Sequence, residues 1–128
     1  MATVAVILVA GGLVTAFLIS RAPSPASPHG MDDTRVSDLR DMQSAINLYR
    51  LRMKHLPETL DGALKELSWV RHPVDPVTSA PYEYRRSDDQ TYALCATFDL
   101  GSQLTPPMYG EDPFWAHTSG HQCFSLSR

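Results

Sequence analysis

Residues 1–20 contain no Asp, Glu, Lys, Arg or His, and the first acidic residue of the chain is Asp32. An amphipathic surface helix is excluded for that stretch, because a helix that is apolar all round needs a large core or a bilayer. Basic residues are also scarce. Eleven Lys and Arg against 14 Asp and Glu leave a formal net charge of −3. A nucleic-acid partner, which would call for a basic face, is therefore not expected. Only two cysteines occur, with no Cys-x-x-Cys spacing, which removes a thioredoxin-like redox motif. There is no phosphate-binding loop, no G-x-S-x-G and no H-E-x-x-H, so the common nucleotide, acyl-transfer and zinc-peptidase signatures are missing. At 128 residues the chain is too short for a multidomain enzyme with a large nucleotide-binding core.

Thr3 to Ser20 reads TVAVILVAGGLVTAFLIS. At about 1.5 Å per residue this run reaches roughly 27 Å, and Met1 and Ala2 extend it to the thickness of a hydrocarbon core. Gly11 and Gly12 suit a membrane helix, where small residues let neighbouring helices approach. A transmembrane helix over residues 1–20 is the expectation. A cleaved signal peptide would need a basic region ahead of the run, and none is present; one explanation is a native chain that continues upstream of Met1. Arg21 is the only nearby charge and casts a single vote for a cytoplasmic flank. Residues 21–31 follow as a Pro-rich linker. In it Ala22 to Gly30, APSPASPHG, favours extended polyproline II and reads as a spacer.

Beyond the spacer the apolar residues Val36, Leu39, Met42, Ile46, Tyr49 and Met53 recur at intervals of three and four. They predict an amphipathic helix over about 34–54. Asp32, Asp33 and Thr34 are its expected caps, and Pro57 its stop. Thr59 opens a second, short helix with Leu60, Leu64 and Leu67 on one face. The period then changes to two. Residues 81–85, 91–98 and 121–126 predict three strands, with a turn at 87–90 and a long loop over 101–120. The fold class is α+β: one long helix laid over a small antiparallel meander. Tyr82, Tyr84, Tyr92, Phe98, Phe124 and Trp69 are the expected large core residues.

Cys95 and Cys123 lie on the strand faces opposite the large apolar residues. An even count, a membrane segment and a small core favour a disulfide between them. Such a bridge would close a loop of about 28 residues and stabilise by roughly 3 kcal/mol in an entropic account. Two buried thiols in a cytoplasmic domain are the alternative. His117, His121 and Cys123 form H-x-x-x-H-x-C, but Ser119-Gly120 between the rings reads as a turn and zinc prefers a fuller ligand set. Asp75, Asp88, Asp89, Asp99 and Asp112 could offer oxygens to calcium, yet their spacing matches no EF-hand loop. The expectation is no metal and no cofactor. Phe114-Trp115, in the long loop, has two readings: anchors that dock the loop on the domain, or an exposed contact for a partner.

The order of apolar helix, amphipathic helix, short loop and small sheet resembles type IV pilins and pseudopilins. The stretch Arg40-Asp41-Met42-Gln43-Ser44-Ala45-Ile46-Asn47-Leu48-Tyr49 is similar to the start of the soluble helix in major pseudopilins of type II secretion. Leu56-Pro57, Thr59-Leu60-x-x-Ala63-Leu64 and Asp75-Pro76-x-Thr78-x-x-Pro81-Tyr82-x-Tyr84 continue the likeness. Neither Phe nor Glu stands at the start of the apolar run, and the spacer interrupts what is one helix in pilins. Leu94-Cys95-Ala96-x-Phe98, Phe114-Trp115-x-His117 and Gly120-x-x-Cys123-Phe124 resemble the C-terminal region of predicted bacterial membrane proteins of unknown function, in which a small pilin-like domain follows a membrane part. The apolar run and the expected disulfide together predict an inner-membrane, single-pass protein with residues 32–128 outside the cytoplasm. The missing catalytic signatures favour a non-catalytic role, with the membrane, other proteins, or further copies of the chain through the membrane helix as partners. The alternative is a pseudopilin subunit.

Overall fold

The computed structural model describes residues 27–66, 73–102 and 112–127. Helix α1 spans Pro28–Met53, six residues longer at its start than the spacing predicts. The reason is local. Pro28 sits in the first turn, where a missing N–H costs nothing and the fixed φ already suits a helix. Ser27 is the cap, its hydroxyl accepting from the Gly30 N–H at 3.1 Å. Residues 28–31, read as the end of the spacer, are thus helical. Asp32 and Thr34 are inside the helix instead of capping it. At the far end the chain leaves through Lys54 in the left-handed conformation (φ 67°), whose N–H bonds back to the Arg50 carbonyl.

Helix α2, Leu60–Glu66, begins as expected after Thr59, whose hydroxyl accepts from the Gly62 N–H at 3.2 Å. It packs Leu64 against Ala45 of α1, with Leu48 and Leu60 at the margin. Strands β1 (Glu83–Arg86), β2 (Tyr92–Phe98) and β3 (Gly120–Leu126) form the antiparallel meander in the order β1-β2-β3. β1 starts two residues later than its aromatic alternation suggests. Pro81, with no N–H to give a ladder, makes only an isolated bridge to Val74.

The core lies between α1 and one face of the sheet. Leu39, Met42 and Ile46 of α1 meet Tyr92, Leu94, Ala96 and Phe98 of β2 and Phe124 and Leu126 of β3, with Leu56, Tyr82 and Trp115 closing the edges. The predicted stripe therefore holds in its middle and fails at its end, where Met53 is exposed. Two tyrosine hydroxyls tie the β1 side to α1 and to the α1–α2 connection: Tyr82 donates to Asp38 Oδ2 at 2.8 Å, and Tyr84 donates to the Pro57 carbonyl at 2.7 Å. Burial, together with the Asp38 carboxylate, pushes the Tyr82 hydroxyl pKa upward. Among the described residues no helix is long and apolar enough to cross a membrane. The expected span over 1–20, the spacer up to residue 26 and Trp69 lie outside the described residues.

Candidate functional site

The strand register puts Glu83 of β1 opposite Cys95 of β2, and Cys95 opposite Cys123 of β3. These three residues form one row on the face of the sheet that α1 does not cover, as the two-residue alternation requires. Cys95 and Cys123 are joined by a disulfide with their Cα atoms 4.0 Å apart. Cys95 is buried and Cys123 exposed. His121, two residues before Cys123, shares that face, and its Nε2 lies 3.2 Å from Glu83 Oε2. The Arg85 guanidinium donates to the other carboxylate oxygen of Glu83. This contact, before the smaller effect of His121, holds the Glu83 carboxyl below its usual range. The ligand atoms of Glu83, Cys95, His121 and Cys123 all lie within 4.8 Å of one another.

A second cluster sits on the opposite side of the sheet, inside the fold. Arg35 is buried, and its guanidinium reaches three carboxylates. Nε donates to Asp75 Oδ2 at 2.7 Å. Nη1 donates to Asp32 Oδ1 at 2.6 Å and to Asp99 Oδ2 at 2.8 Å. Asp32 in turn accepts from the backbone N–H groups of Asp99 and Leu100. Asp75 accepts from those of Val77 and Thr78. Burial alone would lower the guanidinium's pKa, but its bonds to Asp75, Asp99 and Asp32 outweigh it and the net shift is upward. For Asp75, burial alone would raise the pKa. The bond from Arg35 and those from Thr78 and Val77 reverse that and hold it at about 2. The cluster is a structural clamp joining α1, the 75–80 turn and the end of β2. A planar fork with several donors is suited to that task.

The clamp also accounts for two of the five aspartates considered for calcium, since Asp75 and Asp99 surround a side-chain cation. The others are elsewhere. Asp88 accepts from the N–H groups of Gln90 and Thr91 in the turn, Asp89 pairs with Arg86, and Asp112 caps the short 3-10 helix Pro113–Trp115. His117 does not join His121. Its ring stacks on Phe98 with centroids 3.8 Å apart, and its Nδ1 lies 3.1 Å from the Trp115 carbonyl oxygen. Phe114 and Trp115 divide between the two readings. Trp115 is buried against Phe124, centroids 4.9 Å apart, and so anchors the loop. Phe114 stays 43% exposed, its ring perpendicular to that of Trp115 and tilted against that of Phe124. At the C-terminal end of α1, Arg50, Leu51, Lys54, His55, Asp89 and Gln90 line an open cleft of about 460 Å³.

Reasoning from sequence missed Arg35 and Asp32 as a pair, and Glu83 and His121 as neighbours of the disulfide. A signal existed for the first pair. Asp32 and Arg35 continue the spacing of Leu39, Met42 and Ile46 toward the N-terminus, which put both on the buried face. The second pair depends on strand register, which alternation alone leaves free. The chain matches no protein-family model, no curated protein and no solved structure.

Proposed function

We propose that the protein is a membrane-anchored, non-catalytic module of the bacterial envelope, with a disulfide-stabilised α+β domain outside the cytoplasm that serves as a binding or structural unit. The observation that carries this reading is the Cys95–Cys123 bridge. Disulfides persist in oxidising compartments and are rare in the cytosol. The apolar run over residues 1–20 supplies the anchor in this reading, with the inner membrane as its location. The polar side chains of the interior support it too. Arg35, Asp32 and Asp75 spend their bonding capacity on one another and on backbone N–H groups, which is how a folding clamp is built. Exposed Phe114, and Leu51 and Met53 in the last turn of α1, offer apolar contact area for a protein partner.

A pseudopilin-like subunit is the second reading. It is favoured by one observation, a long helix followed along the chain by a three-stranded antiparallel meander, which matches the amphipathic helix and small sheet of the sequence resemblance. The two readings share an anchor and differ in self-association. Expressed in bacteria, the full chain should stay with the membrane through alkaline carbonate extraction, and its domain should be degraded by protease added to spheroplasts. Crosslinking in the membrane should give a monomer or a single complex with another protein. A ladder of homo-oligomers would move the assignment to the second reading. Release by carbonate would contradict both.

A further inference from the structure

We propose that Glu83, Cys95, His121 and Cys123 form a binding site for a single zinc-class divalent cation, open only while the two cysteines are reduced. The disulfide and the metal compete for the same two sulfurs. This goes beyond the envelope reading, since the site would exist in whichever compartment holds the reduced chain.

The geometry is the first argument. A tetrahedral zinc site has metal–sulfur distances of about 2.3 Å and metal–nitrogen or metal–oxygen distances of about 2.0–2.2 Å, so its ligand atoms stand roughly 3.3–3.8 Å apart. The four ligand atoms here already lie within 4.8 Å of one another. Small side-chain rotations on a fixed sheet would therefore close the tetrahedron. Three ligands come from three adjacent strands in one register row, and the fourth is two residues along β3 on the same face. That placement does not depend on the disulfide alone, because the sheet ladder and the core behind it hold it.

Ligand chemistry is the second argument. Two thiolates, an imidazole nitrogen and a carboxylate oxygen are a zinc-type donor set. Glu83 offers Oε2 on the His121 side while Oε1 is held by Arg85. Such an outer hydrogen bond orients a first ligand. With neutral imidazole the loaded site would carry one net negative charge, and the adjacent Arg85 guanidinium offsets it.

The steps balance as follows. A dithiol reductant transfers two electrons and two protons to the Cys95–Cys123 bond and closes to its own disulfide. Each cysteine thiol then loses its proton as the cation binds, so one metal ion releases two protons. A newly made chain holds both thiols before oxidation and needs no reductant.

The test is a Co(II) titration of the full chain in detergent, without oxygen, after reduction with a phosphine. The expected result is a thiolate-to-cobalt charge-transfer band with intense tetrahedral d–d bands, saturating at one Co(II) per chain and bleached by Zn(II). The oxidised protein should give no such bands. His121→Ala, at an exposed position, and Glu83→Gln, at a half-buried one, both leave the cysteines in place and should each weaken binding by about tenfold or more. Absence of the bands in the reduced protein would overturn the proposal. So would equal affinity in wild type and His121→Ala, which would mean that two thiols capture metal without a built site.

Discussion

Arg35 is the centre of the buried ionic cluster. Its guanidinium is buried and shared by Asp32, Asp75 and Asp99. Removing one partner of a buried ionic cluster leaves charges without compensation, at a cost of about 3–5 kcal/mol. Arg35→Ala should lower unfolding free energy in urea by that amount, and Arg35→Lys should recover only part of it, since an ammonium lacks the planar fork. An unchanged urea midpoint in Arg35→Ala would contradict the clamp. Asp75 gives the same cluster a pH signature. Its carboxyl is held at about 2 in the fold against 3.8 as a free group. A lowered carboxyl contributes stability that is fully present above the unfolded value and is lost as pH falls through the folded one. The contribution is about 2 kcal/mol, so urea midpoints should fall between about pH 4 and pH 2. Asp75→Asn should be less stable at neutral pH and show a flatter profile over that range. A mutant profile parallel to wild type would rule out Asp75 as the source.

At the scale of elements, the comparison of sequence and structure separates what pattern encodes from what contact decides. The period of α1 was plain from Leu39, Met42 and Ile46, and its stop from Pro57. Its start is not, because Pro28 reads as part of an extended spacer when it occupies the one turn of a helix that tolerates proline. Ser27 is the residue that makes this start possible. Ser27→Ala should cost about 1 kcal/mol, measurable as a lower urea midpoint, with loss of helical signal confined to the first turn. No change in stability would mean that the helix is anchored from Asp32 onward by the clamp alone. The strands were legible from alternation. Their register, which brings Glu83 and His121 to the disulfide, was not, since alternation fixes faces and leaves pairing open. Asp32 reads as a cap, and Arg35 draws no assignment, for a related reason. A charged residue at the end of an apolar stripe reads as a cap or a solvated face until its partners, 40 and 64 residues away, are known.

At the scale of the whole molecule, the described residues fold as α1, α2 and three short strands around a small core, and the Cys95–Cys123 bridge adds to it from the opposite face of the sheet. Replacing both cysteines by serine should lower the unfolding free energy by roughly 3 kcal/mol, as expected for a 28-residue loop. Reductant should give a similar loss in wild type and none in the variant. Equal urea midpoints for wild type and variant under oxidising conditions would show that the bridge adds no stability. The bridge is also what ties the fold to a compartment. Because Cys123 is its exposed end, opening it presents a sulfur that a reagent in solution reaches. The most direct measurement is labelling of intact bacteria expressing the full chain with a membrane-impermeant maleimide, before and after reduction, with a chelator present to keep metal off the thiols. An extracytoplasmic, disulfide-bonded domain predicts labelling of intact cells only after reduction. Labelling that appears only after lysis, and needs no reductant, would put free thiols in the cytoplasm and contradict the envelope assignment.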